Sequence, residues 1–180
     1  MAQSAVKNYD KPASSLAFAA VENQSRFTRF SSSGGGQLPD YGSGPGERNQ
    51  YRLTQFSQQY AWQWRGFGVQ QELHWKRVED QDTGRRRYLV GGYLQGGWFP
   101  ATNWSSLTTQ WELAARYAYV DPDLTPLENT EFSLASNWFF NGHRNKLTAE
   151  ASYLRTASTD FAENPEVDGW RLRLQWDISI

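Results

Sequence analysis

The chain of 180 residues contains no cysteine, which excludes a disulfide framework and a thiolate metal site. Its 18 lysines and arginines nearly balance its 19 aspartates and glutamates, so bulk charge gives no reason to expect binding to nucleic acid. No stretch approaches the roughly 18 consecutive apolar residues of a membrane-spanning helix. The first residues, MAQSAVKNYDKPASS, lack the apolar segment of a secretory signal peptide, so an exported protein would appear here in its mature form.

Aromatic residues are abundant where aliphatic residues are few. The sequence has nine Trp, nine Tyr and ten Phe, yet hydrophobic residues make up only 38% and the mean hydropathy is -0.75. A polar chain rich in aromatic residues is typical of a transmembrane β-barrel, because half of each strand faces a polar interior and aromatic girdles mark the membrane interfaces.

The last eleven residues, WRLRLQWDISI at 170–180, alternate strictly between apolar and polar side chains. Because a β-strand directs successive side chains to opposite faces, this segment predicts a strand with one tryptophan-rich face and one charged face. The apolar face needs a core or lipid, and the charged face needs water or ion-pair partners.

The same alternation recurs along the chain. It is clear at 146–156, 129–140, 109–120, 86–99 and 67–78, and weaker at 51–62 and 13–23. Each segment has the length that a tilted strand needs to cross a bilayer. We therefore predict one all-β domain over 1–180, an antiparallel up-and-down transmembrane β-barrel of about eight strands.

The predicted connections fall into two classes. At one end the turns at 63–66 and 141–145 are tight, and only 100–108 at that end is longer. Connections at the other end are longer and mostly acidic or Pro-rich. Outer-membrane barrels have short periplasmic turns and longer outer loops, which places 1–12 as a periplasmic tail and 31–50, rich in Gly, Ser and Pro, as a flexible outer loop. Aromatic residues crowd the short-turn end and predict an interfacial belt there. The belt comprises Trp62, Trp64, Phe67, Trp98, Phe99, Trp104, Trp138, Phe139 and Phe140.

Parity assigns side chains to the two faces of the predicted barrel. The residues predicted to face lipid are Trp111, Leu113, Trp138, Trp170, Leu172, Leu174, Trp176 and Ile178. The charged residues predicted to line the lumen are Lys76, Arg87, Arg116, Lys146, Arg171, Arg173, Glu72, Glu112, Glu131, Glu150 and Asp177.

Strand number then decides function. An eight-stranded barrel closed on itself has an interior just filled by side chains, so its charges would pair across a plugged core. Two copies or a missing half would make a wider barrel, in which the arginines could line an anion path. A soluble eight-stranded barrel that binds an apolar ligand remains the alternative, with both faces inverted.

The sequence predicts neither an enzyme nor a metal or cofactor site. His74 shares its face with Glu72 and has no serine within two residues, which favours a lumen hydrogen bond over hydrolysis. His143 is expected to be solvated in a turn, and two isolated histidines do not predict zinc. Calcium is weakly indicated by the acidic loop residues Asp80, Asp82, Asp121, Asp123 and Glu128, for which a solvated rim is favoured.

Several stretches resemble the C-terminal part of the phosphate-selective porin O and P family. They are WELAARYAYVDPD at 111–123, EFSLASNWFFNGHRNKLTAEASYLR at 131–155, and the two strands FGVQQELHWKRVE and YLVGGYLQGGWFP at 67–79 and 88–100. The resemblance covers roughly 67–180 and implies an outer-membrane channel that passes phosphate or other anions, although this chain has about half the strands of such a porin. It implies outer-membrane lipid, small anions, the barrel-assembly machinery and a homo-oligomer as partners, and a bacterial outer-membrane location.

Overall fold

A computed structural model describes residues 10–29, 36–42, 44–121, 123, 128–157 and 166–179. About two-thirds of them lie in β-strands. The eight strands are β1 (Ala13–Ser25), β2 (Tyr51–Trp64), β3 (Phe67–Asp80), β4 (Arg86–Trp98), β5 (Trp111–Asp121), β6 (Asn129–Phe139), β7 (Asn145–Ala157) and β8 (Glu166–Ile178). Every predicted strand is present, although β8 begins four residues before the predicted position. Residues 1–9 of the predicted tail and residue 180 lie outside the described residues.

The strands form one sheet in the order β1 to β8, and each strand is antiparallel to the next. This confirms the predicted up-and-down arrangement. The sheet is open, because within the described residues β1 and β8 form no pairs with one another. The eight strands therefore do not close on themselves, as the plugged barrel would require. No helix of the described residues has the length and apolarity to span a membrane.

The register settles which side chains share a face. Directly paired residues project to the same side, and one row across four strands contains Trp111, Trp138, Leu147 and Trp176. All eight residues predicted to face lipid lie on this side, called here the outer face. The register also orients the ambiguous strand β2, whose Phe56 and Trp62 share the outer face.

In a soluble protein apolar side chains are buried and polar side chains are exposed. The two faces of this sheet show the reverse. Leu172 is 81% exposed on the outer face, whereas Glu112 and Ser133 are fully buried on the other side, called here the inner face. Polar side chains are thus packed together while large apolar side chains face outward. Burial of this kind fits a protein whose outer solvent is apolar.

The short-turn end of the sheet is built from the connections 65–66, 99–110 and 140–144. Gly66 has a φ of 77°, and a Cβ there would come within 2.3 Å of the Thr102 side chain, so the β2–β3 turn requires glycine. The Phe99 amide donates to the Gly66 carbonyl at 3.0 Å, which holds the longer 99–110 connection against that turn.

The predicted aromatic belt is largely present at this end, with two corrections. The Phe67 and Trp98 rings stack at 5.5 Å, and Trp98 contacts Trp104 edge-on at 5.3 Å. Phe99 and Phe139 do not belong to the belt: they are 4% and 2% exposed and their rings pack together at 5.6 Å. Phe139 shares the parity of the inner-face residues, so its side chain lies on the inner face, at the short-turn end of the polar residues there.

The β1–β2 connection folds onto the inner face at the long-loop end. Of the flexible loop predicted at 31–50, residues 31–35 and 43 lie outside the described residues. Leu38 is 4% exposed and packs with Leu53 and Val78 in a small apolar cluster. This contact explains why the inner face of β2 and β3 carries two apolar residues where alternation predicts polar ones.

Asp40 fastens this connection to strand β4 and the turn before it. One carboxylate oxygen accepts hydrogen bonds from Arg85 at 2.5 Å and from the Arg87 Nε at 2.8 Å. The Arg85 guanidinium also lies 5.1 Å from the Tyr41 ring. Burial and the Asp40 charge raise the pKa of Tyr41 to about 12.

Replacing Asp40 with asparagine should release the β1–β2 connection. The change removes the charge that holds both arginines, and hydrogen bonds to charged groups contribute about 1.5–3 kcal/mol each. Trypsin should then cut after Arg48 on the order of tenfold faster than in the unmodified protein. Asp82→Asn, an exposed change in the neighbouring turn, is the matched control and should leave cleavage unchanged. Equal cleavage of both variants would contradict the fastening role of Asp40.

Candidate functional site

The inner face is the candidate functional site because it gathers most of the charged residues of the sheet. The register places all of the residues predicted to line a lumen on this face, including Glu72, Arg116 and Arg173. Their lining role remains a prediction, but their common orientation is a property of the fold. The structure also shows what the sequence did not, namely the partners that hold each charge.

A buried polar network spans β5, β6 and β7. The Asn137 side-chain amide donates to Glu112 at 2.7 Å and its oxygen accepts from Thr148 at 2.7 Å. Two inner-face rows further along, the Ser133 and Ser152 hydroxyls lie 2.8 Å apart. Buried polar groups need such partners, since an unsatisfied group costs about 1–3 kcal/mol. Because these polar groups satisfy one another, they fix the side-chain arrangement of this part of the inner face.

Two arginines of β8 lie above a buried glutamate of β7. Arg173 donates to Glu150 at 2.7 Å, and Arg171 contacts Glu131 at 2.9 Å and Glu150 at 3.5 Å. The Arg171 and Arg173 side chains are 44% and 47% exposed, whereas the Glu150 side chain is 2% exposed. The charge presented outward from this part of the face is therefore positive, although the charges balance in number.

A second cluster surrounds Glu72 on β3. Its carboxylate accepts from Gln59 at 3.1 Å and from the Tyr93 hydroxyl at 3.1 Å, and it lies 2.7 Å from the His74 Nε2. The predicted hydrogen-bonding role of His74 is thus observed. The Arg116 guanidinium stacks over the Tyr93 ring at 4.7 Å, which links this cluster to β5.

The remaining basic residues of the inner face bond to groups that the alternation pattern does not identify as their partners. Lys76 donates to the Thr28 carbonyl at 2.8 Å, and Arg87 pairs with Asp40 at 2.7 Å. Lys146 lies 3.5 Å from Asp177 on the adjacent strand. Pairing across a closed interior was expected only of a closed barrel; in this open sheet the described charges pair along the sheet, between nearby strands and with the β1–β2 connection.

Residue types alone could have revealed part of this arrangement. Asn137, Ser133, Ser152 and Thr148 share the parity of the charged residues, so alternation assigns them to the same face, although it does not indicate that they bond to one another. The roles of Asp40 and Thr28 had no such signal, because both lie in a connection whose fold is set by distant contacts.

The acidic loop residues do not form a metal site among the described residues. The Asp80 carboxylate accepts from the Asp82 amide at 3.1 Å and from the Thr83 hydroxyl at 2.9 Å, which caps the β3–β4 turn. The Asp121 carboxylate similarly accepts from the Asp123 amide at 2.7 Å. His143 is exposed in its turn, as expected, with its ring 5.4 Å from that of Phe139.

Comparison with known families decides the relationship. The family model described as "Phosphate-selective porin O and P" matches residues 24–178. The chain belongs to this family. The match begins well before residue 67, where the predicted resemblance begins, so β2 and the β1–β2 connection also belong to the porin O and P pattern. Searches of curated proteins and of solved structures found no match.

Membership in the porin O and P family agrees with the fold on two points. The strand-rich, up-and-down sheet is consistent with a barrel-like porin. Proteins of the family are generally found in the outer membrane.

Proposed function

We propose that this chain forms part of the wall of an outer-membrane channel through which small anions, such as phosphate, diffuse passively. In this proposal the inner face meets water and the outer face meets lipid, with no enzymatic role. The observation that carries it is the layering at β7 and β8, where Arg171 and Arg173 are about half exposed above a Glu150 that is almost fully buried. A solute passing this surface meets guanidinium groups first.

The outer face supports insertion in lipid. Its central rows are apolar, and its short-turn end carries the aromatic residues that prefer a membrane interface. Gln58 and Gln71 are exceptions within this face, and they satisfy one another through a hydrogen bond of 3.0 Å. A lipid-facing polar pair is tolerable only when it is satisfied in this way.

The open sheet favours a channel over a plugged barrel. Eight strands closed on themselves leave an interior filled by side chains, whereas wider barrels hold water. Because unpaired strand edges cannot face hydrocarbon, β1 and β8 must each pair with a further strand in a membrane. Those strands would come from a second copy of the chain or from the remainder of a longer one.

The soluble carrier alternative requires the opposite arrangement of faces. It would bury Trp170, Leu172 and Trp176 around an apolar ligand, yet these residues are 72%, 81% and 64% exposed. It would also leave Glu112 and Asn137 exposed to water, whereas both are buried and bonded to one another. These contacts favour the membrane channel.

The proposed channel predicts anion selectivity that depends on layering rather than on net charge. The double variant Glu150→Gln/Arg173→Gln leaves the net charge unchanged but removes one exposed cation and one buried anion. Its preference for chloride over potassium should fall on the order of twofold or more, because the buried carboxylate contributed little to the field in the passage. Reversal potentials across a planar bilayer with a potassium chloride gradient measure this preference.

A control variant and a clear contrary result accompany this measurement. Arg65→Gln removes one positive charge from the β2–β3 turn, where the guanidinium lies 4.9 Å from the outer-face residue Trp64, and it should leave the reversal potential unchanged. Cation preference in the unmodified protein, or the absence of any conductance from folded, inserted protein, would contradict the anion channel.

A further inference from the structure

Three arginines on neighbouring strands surround one glutamate on the outer face, at the long-loop end. The register pairs Glu79 of β3 directly with Arg52 of β2 on one side and with Arg86 of β4 on the other. Arg77 lies two residues from Glu79 on the same strand and therefore on the same face. We name Arg52, Arg77, Arg86 and Glu79 the outer-face arginine cluster.

Within the cluster, the cations are more accessible than the anion. The Arg52 and Arg86 side chains are 41% and 55% exposed, against 15% for Glu79. Arg86 binds Glu79 through two nitrogens, at 3.0 and 2.8 Å, while Arg52 forms a further ion pair with Glu22. Arg77 donates to the Thr54 hydroxyl at 3.3 Å, and its Nε is buried without a hydrogen-bond partner.

The position of the cluster relates it to the membrane. Phe56, Trp75 and Val90 form the last apolar row of the outer face, and Thr54, Arg77 and Tyr88 follow two residues further along their strands. Two residues correspond to about 7 Å along a strand, which is the step from hydrocarbon to headgroups. The opposite end of the same face carries aromatic residues instead, including Phe67 and Trp98. Aromatic residues lie near both boundaries of the outer face, but the arginine cluster lies at the long-loop end.

We propose that the outer-face arginine cluster binds the phosphate groups of a phosphorylated lipid headgroup in the outer leaflet. The arginine fork matches phosphate geometry, and the three arginines outnumber by one the two carboxylates that Arg86 and Arg52 contact, Glu79 and Glu22. A lipid is a better occupant than free phosphate because its acyl chains would cover the adjacent apolar row, so one molecule contacts both surfaces. The inference rests on the proposed membrane insertion but not on conduction of anions.

Lipid binding to the folded protein in detergent micelles tests the inference, with native mass spectrometry as the readout. The probes are bis-phosphorylated lipid A and the same lipid without its phosphates. The unmodified protein should bind the phosphorylated form more tightly. The triple variant Arg52→Gln/Arg77→Gln/Arg86→Gln should bind it about a hundredfold more weakly, since each arginine near an anionic lipid surface contributes roughly fivefold to affinity.

The matched control removes the same charge elsewhere. Arg26→Gln/Arg48→Gln/Arg65→Gln changes three exposed arginines in connections and should leave lipid binding unchanged. Glu79→Gln provides a test in the opposite direction: it frees the cluster from its internal carboxylate, so affinity for the phosphorylated lipid should rise. Folding of each variant is judged by gel mobility before and after heating. If the triple variant does not fold, Glu79→Gln alone tests whether the cluster binds the lipid phosphates.

Two results would overturn the inference: equal affinity of the unmodified protein for both lipids, or affinity for the phosphorylated lipid that neither the triple variant nor Glu79→Gln changes. Failure of the proposed function looks different. A chain that folds in plain buffer and does not enter micelles would refute membrane insertion itself, whereas an inserted protein that does not discriminate between the lipids would refute only the lipid site.

Discussion

Replacing Leu172 with arginine should destabilise the protein in lipid by about 2–4 kcal/mol, the cost of an arginine at the membrane midplane on the outside of a barrel. Leu172 lies at the centre of β8, pairs with Ala151 of β7 and is 81% exposed. Its exposure has no cost if the surrounding solvent is hydrocarbon. A charge at the same place would have to be carried into the apolar layer.

Urea-induced unfolding from lipid vesicles, followed by tryptophan fluorescence, measures this loss. The matched control is Gln175→Arg on the same strand, which adds the same charge to the inner face. It should change the free energy of unfolding by less than about 1 kcal/mol, because an inner-face charge remains in water. If the two variants lost the same stability, or if Leu172→Arg lost none, the outer face would not be facing lipid.

The second large effect concerns the buried carboxylate of Glu150. Arg171 and Arg173 are its two cationic partners, at 3.5 and 2.7 Å. The double variant Arg171→Gln/Arg173→Gln should destabilise the protein by about 3–5 kcal/mol, because it leaves a buried charge without a counter-ion. Ser152, which donates to Glu150 at 3.1 Å, cannot replace a positive charge.

Rescue separates this electrostatic cost from loss of packing. Adding Glu150→Gln to the double variant removes the unpaired charge. Most of the lost free energy of unfolding should therefore return when all three proteins are compared by urea titration in detergent micelles. If the triple variant were as unstable as the double variant, the arginines would stabilise β8 through their aliphatic chains rather than through the ion pair.

Periodicity was sufficient to predict the eight strands, and the two faces of the six in which the alternation is clear. The alternation at 109–120 puts Glu112 opposite in parity to Trp111, and the structure places Glu112 in the buried network and Trp111 on the outer face. This information is local, because the side chains of one strand alternate whatever its neighbours are. The same parity puts Phe139 on the inner face. It was assigned to the aromatic belt only because it is an aromatic residue at the short-turn end.

Contacts between distant segments could not be predicted. Leu53 faces inward among polar residues because Leu38 covers it, and nothing in the 51–62 segment indicates that cover. Asp40 reaches Arg87 across 47 positions of sequence. The open edges of the sheet were equally hidden, since eight amphipathic strands are compatible with a closed barrel or with part of a wider one. Partners and closure depend on three-dimensional packing, which a period of two does not encode.

The central claim is that Trp170, Leu172 and Leu174 face hydrocarbon while Arg171 and Arg173 face water. Because the chain has no cysteine, single cysteines placed at 170–176 in turn would each report one position. In vesicles, a water-soluble maleimide should label the odd positions quickly and the even positions slowly, and a nitroxide on a lipid acyl chain should quench fluorophores only at the even positions. Uniform labelling along the strand, or the reverse alternation, would contradict the membrane orientation on which the proposed channel depends.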